Sequence, residues 1–104
     1  MGLDSFNPSF STYKKIKMAR KIWKYPLNIT DEQTIEIPLN GEILSAQFQN
    51  SILCIWVLVN PSEETKPRYF EIYGTGNPFE IGDNRKFIGT LQDGSFVWHL
   101  FEKI

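Results

Sequence analysis

The chain holds one cysteine and one histidine in 104 residues. One cysteine excludes an internal disulfide, and the two together are too few soft ligands for a zinc site. No apolar run is long enough to span a bilayer, and the first residues lack the apolar core of a signal peptide. An intracellular, reducing compartment is therefore expected, with no membrane partner. Positive charge is also not in excess, since eleven basic side chains meet twelve acidic ones for a net charge of −1. Residues 1–17 carry three lysines against one aspartate, which leaves eight basic and eleven acidic groups for residues 18–104. That body offers no broad basic footprint, so nucleic acid is not an expected partner. The glycines never form a complete phosphate-binding fingerprint.

What the sequence does have is aromatic residues, at 14%, and alternation. Residues 1–17 are polar, serine-rich and broken by Pro8, and are read as a flexible leader or an extended start. Patterned sequence begins near Met18, so residues 18–104 are read as a single domain. Its period is two, not 3.6. Lys21–Pro26, the stretch around Ile35 and Ile37, Glu42–Gln49, Ile52–Val59, Arg68–Thr75, Phe87–Leu91 and Ser95–Phe101 read as strands. Asn40-Gly41 and Asp93-Gly94 supply turn chemistry. The expectation is an all-β fold with minimal helix: a small antiparallel sandwich or barrel of about seven strands.

Two strands break the rule of one apolar and one polar face. Ile52–Val59 is apolar on both sides, and Phe96–Phe101 nearly so. A chain of this length buries only about 60–70% of its unfolded surface, and no helix is available to cover a second face. Either residues 1–17 fold over these strands or a second subunit does. The leader is too polar to replace a layer, so a second subunit is the expected cover, most simply in a two-fold dimer.

The candidate chemistry is thin. Cys54 and His99 are the only nucleophile–base pair, and both fall in apolar strands, where packing is the natural role. Neither they nor the paired carboxylates Asp31-Glu32 and Glu63-Glu64 make a catalytic constellation. No enzyme, cofactor or metal is therefore expected. The stretch Arg68-Tyr-Phe-Glu-Ile-Tyr-Gly-Thr-Gly-Asn-Pro78 is more informative. It lacks the third glycine and the helix of a dinucleotide fingerprint. Alternation points Phe70 and Ile72 inward, with Arg68 at the rim and Tyr69, Glu71, Tyr73 and Thr75 outward. Backbone donors around Gly74, Thr75 and Gly76 could form an anion nest. With Arg68, Tyr69, Tyr73 and Arg85, these residues form the candidate ligand-binding set.

The chain resembles a small domain family encoded by bacteriophages and prophages. The resemblance rests on Ile22-Trp-Lys-Tyr-Pro-Leu27, Thr30-Asp-Glu-Gln33, Ile43-Leu-Ser45 with Gln47 and Gln49, Trp56-Val-Leu-Val59 and Gly74-Thr-Gly-Asn-Pro78. It covers Met18 to Glu102 and implies no known reaction. It implies instead a non-enzymatic, oligomeric binding protein acting in the host cell cytoplasm. The leading expectation is sequestration of a nucleotide-type host immune signal as counter-defence; the alternatives are inhibition of a host defence complex by protein contact, or a structural or assembly role in the virion.

Overall fold

The computed structural model describes residues 19–80, 82 and 84–104; the expected leader, residues 1–17, lies outside them. Seven strands form among the described residues: β1 (Lys21–Leu27), β2 (Glu32–Pro38), β3 (Glu42–Gln49), β4 (Ile52–Val59), β5 (Thr65–Gly74), β6 (Arg85–Asp93) and β7 (Phe96–Lys103). All pairings are antiparallel. Sheet A has the order β1-β4-β3 and sheet B the order β2-β5-β7-β6. The all-β expectation holds, and of its two forms the fold is an open sandwich, not a closed barrel. No helix among the described residues is long and apolar enough to cross a membrane.

The core lies between the sheets. Sheet A contributes Leu27, Leu53, Ile55, Val57 and Val59, and sheet B contributes Ile37, Phe70, Ile72, Leu91 and Leu100. Hairpin turns fix the registers. Asn50 and Ser51 both adopt positive φ, the form a two-residue hairpin between β3 and β4 requires. In the turn from β2 to β3 the Gly41 N–H donates to the Pro38 carbonyl at 3.0 Å, with Asn40 at φ 65. A Cβ on Gly41 would sit 2.8 Å from Ile37 Cγ2, so only glycine lets this turn press on the core.

Two bulges change what alternation alone suggests. In β3 the register slips between Ile43 and Ser45. Ile43 thereby joins Ala46 and Phe48 against the core, and Leu44 is left exposed instead of sharing their face. In β6 the register slips between Phe87 and Gly89. Leu91 then points into the core and Thr90 points away from it.

Apolar character on both sides of β4 and β7 is partly covered by the chain itself. On the outer side of β4, Cys54 is 2% exposed. Lys24 Nζ donates to Gln49 Oε1 at 2.6 Å, and by register this bridge crosses the row of Cys54. Ile22 and Ile52 on the same side are more than half exposed. On the outer side of β7, Phe101 packs against Phe79 from the segment after β5, with the two ring planes tilted by 48°.

Arg68 lies on the inner face of sheet B at the open end of the sandwich. Its Nε and Nη2 donate to Glu102 Oε2 and Oε1 at 2.6 and 2.8 Å, and Nη1 donates to the Gly41 carbonyl. Glu102 is 5% exposed. One guanidinium thus joins β5, β7 and the turn that leads into sheet A, and it satisfies a carboxylate that could not otherwise be buried. Arg68→Met is expected to cost about 3–5 kcal/mol in chemical denaturation, because it strands the Glu102 charge. Arg68→Met combined with Glu102→Leu should recover most of that loss, whereas equal losses in the single and double variants would contradict a paired role.

Candidate functional site

Antiparallel alternation gives sheet B an outer face built in rows. Tyr69, Glu71 and Tyr73 of β5 lie beside Lys103, Phe101 and His99 of β7, and these lie beside Arg85, Phe87 and Thr90 of β6. This face is aromatic. Tyr73 stacks on Phe79 with ring centroids 4.1 Å apart and planes 19° apart. Phe101 meets Tyr73 at 6.1 Å and Phe87 at 5.4 Å, both edge-on. A strip of four rings, Phe79, Tyr73, Phe101 and Phe87, therefore crosses the sheet. Phe87 is 55% exposed and Phe79 41%.

Glu71 points outward as alternation requires, yet it is buried, which alternation does not foresee. The cause is Arg85, whose Nε and Nη2 donate to the two Glu71 oxygens while Nη1 donates to Asn84 Oδ1 at 2.7 Å. The two-pronged pair closes the centre of the face without removing its charges from each other. Burial, and then the Glu71 carboxylate, hold the Tyr73 phenol above its ordinary value, with Arg85 opposing.

His99 occupies the row beside Tyr73. Its Nε2 lies 2.7 Å from Thr75 Oγ1 and its Nδ1 3.1 Å from Thr90 Oγ1. The imidazole is thus pinned between two hydroxyls, and Thr90 reaches it only because the β6 bulge turns that residue outward. Alternation could place His99 outward, but no local signal marks the bulge.

Beside this face is a notch. β2 ends its ladder at Glu32, opposite Glu71, whereas β5 continues to Gly74 against Trp98 of β7. The unpaired end of β5 leaves a cleft of about 710 Å³ whose lining includes Asp31, Glu32, Tyr73, Gly74, Phe79 and Arg85. The Gly74–Asn77 segment bounding it is a tight turn in which the Asn77 N–H donates to the Gly74 carbonyl at 3.1 Å. Gly76 takes φ 87, as the third position of a type II turn needs. The Thr75 N–H donates to the Val97 carbonyl at 3.2 Å. Of the three amides expected to face an anion, that of Thr75 is therefore already bonded.

Of the sequence-predicted residues, Tyr73, Gly74 and Arg85 come together at the notch. Thr75 joins His99, and Gly76 shapes the turn. Tyr69 is on the same outer face, above a smaller cleft of about 250 Å³ shared with Thr34 and Lys103. Arg68 is not among them. It points to the inner face, six residues back along β5, about 20 Å at strand rise from Gly74. Among the described residues no group of three or more His, Cys, Asp and Glu side chains is placed to hold a metal ion.

Residues 18–104 match a domain family of unknown function, DUF7352, and the chain belongs to that family. No curated protein and no solved structure matches the chain.

The Tyr73 environment can be read by absorbance titration of tyrosinate. The difference between wild type and Tyr73→Phe is expected to titrate above the ordinary phenol value of 10.0. A phenol raised in the folded state leaves its stability contribution intact below pH 10.0 and loses it as pH rises through the elevated value. A difference curve centred at or below the ordinary value would contradict this packing.

Proposed function

We propose that this domain is a non-enzymatic binding module whose working surface is the outer face of sheet B and whose partner is a protein. The observation that carries this reading is the half-exposed strip of Phe79, Tyr73, Phe101 and Phe87 around the Glu71–Arg85 pair. Aromatic and arginine side chains are the enriched components of interface centres, and a rigid sheet presents them at low entropic cost. The resemblance to phage-encoded domains extends the reading to counter-defence in the host cytoplasm, with a host defence protein masked by contact. Self-association through the outer side of sheet A, where Ile22 and Ile52 are exposed, belongs to the same proposal.

A nucleotide-type ligand is the second reading, favoured by a notch of a size that small molecules fill. Against it stand the bonded state of both arginines and the carboxylates of Asp31, Glu32 and Glu80 along the lining, which repel phosphate.

Affinity capture from a defence-competent host, followed by titration of the captured protein, separates the two. Phe87→Glu should weaken the partner by roughly thirtyfold or more, the effect of losing a hot spot of about 2 kcal/mol, with an unchanged melting curve. Equal affinity of wild type and variant would overturn the reading. So would native mass spectra in which the purified protein retains a nucleotide that Tyr73→Ala loses.

A further inference from the structure

Resting on the protein-partner reading, we infer that the notch beside β5 takes an arginine-bearing extended segment of that partner. Three features of this one place point to it. The first is charge. Among the described residues, Asp31, Glu32, Glu71 and Glu80 line the notch with Arg85 as the one basic side chain, and Arg85 is already neutralised by Glu71. Three carboxylates remain to attract a cation from outside.

The second is precedent within the fold. The notch already seats one guanidinium, that of Arg85, forked onto a carboxylate and held from the side by the Asn84 amide oxygen. A second planar cation entering from solvent would meet the same chemistry at Asp31, Glu32 and Glu80. The exposed Phe79 ring, stacked on Tyr73, offers it a face. Arginine is favoured over lysine because it can fork onto a carboxylate and stack on a ring together.

The third is backbone. In an antiparallel ladder, the N–H and C=O of successive residues point to opposite sides. The Ile72 N–H points toward β2, reaching the Asp31 carbonyl at 3.3 Å, and the Thr75 N–H points toward β7. The Gly74 N–H therefore faces the notch side, where β2 has already turned away. That turn is held by Gln33, whose side-chain amide bonds both the Asn28 carbonyl at 2.6 Å and the Asn28 N–H at 3.0 Å. A main-chain carbonyl of the entering segment would accept from Gly74, which sets the segment extended along the end of β5 and aims its side chain at the carboxylates.

The probes are two blocked pentapeptides, Gly-Arg-Gly-Arg-Gly and Gly-Glu-Gly-Glu-Gly, titrated into nitrogen-15-labelled protein at concentrations up to about 5 mM, the range in which isolated contacts register. The arginine peptide is expected to shift the amides of Glu32, Gly74, Asn77 and Phe79, with shifts that shrink as salt is raised. The glutamate peptide should leave those amides in place. Asp31→Lys with Glu80→Lys should weaken the arginine peptide roughly tenfold, as expected for losing two exposed ion pairs, without changing the melting curve. No shift at these amides with the arginine peptide, or equal shifts with both peptides, would overturn the inference. The captured partner separates this inference from the reading beneath it. If Phe87→Glu abolishes capture and the Asp31→Lys, Glu80→Lys protein captures fully, the aromatic face stands and the notch does not.

Discussion

Two buried carboxylates on neighbouring strands of sheet B set the terms for the rest of the molecule. Glu102 faces into the sandwich and Glu71 faces out of it, and each is closed by an arginine from elsewhere in the chain. A buried carboxylate left alone would cost several kcal/mol, so each glutamate commits one arginine. Arg68 thereby becomes a tie between the sheets through the Gly41 carbonyl. Arg85 becomes the centre of an aromatic face. The chain has three arginines, and these two are each neutralised by a glutamate inside the fold.

The strand plan was legible because it rests on local chemistry. Period-two patterning, Asn40-Gly41 and Asp93-Gly94 mark the strands and turns in the sequence, and the structure places strands and turns there. The inward pair Phe70 and Ile72 follows from the same alternation. The glycine pair at Gly74 and Gly76 also reads correctly as a strand end running into a turn. A strand that is apolar on both sides, such as β4, signals a need for cover, but the source of cover is not written locally. Part of it is the Lys24–Gln49 bridge, between residues 25 positions apart.

The candidate site was less legible, for two physical reasons. Ion pairing is a tertiary event: Arg68 and Glu102 are 34 positions apart, and Arg85 and Glu71 are 14 apart. The sequence does carry a hint at Glu71, since a glutamate between apolar residues in a strand, as in Phe70-Glu71-Ile72, calls for a cation; Glu102, followed by Lys103, carries none. That hint names no particular partner. Bulges are the second reason. A single extra residue at Ile88 moves Thr90 to the outer face and completes the pair of hydroxyls around His99. His99, expected as a packing residue, lies half-buried with a hydroxyl on each ring nitrogen. Proximity in sequence also misleads along a strand, where Arg68 and Gly74 share β5 but lie at its two ends and serve different faces.

The most direct measurement is nitrogen-15 spectroscopy of the arginine side chains. A guanidinium held by a two-pronged carboxylate rotates slowly about its Nε–Cζ bond and gives separate Nη signals, whereas a free one gives an averaged signal. Arg20 is exposed, has no ion pair among the described residues, and serves as the reference within the same molecule. Separate Nη signals are expected for Arg68 and Arg85, unmoved when a cyclic dinucleotide is added. Averaged signals at either residue, or a shift of either on adding the nucleotide, would contradict the assignment of both arginines to the fold.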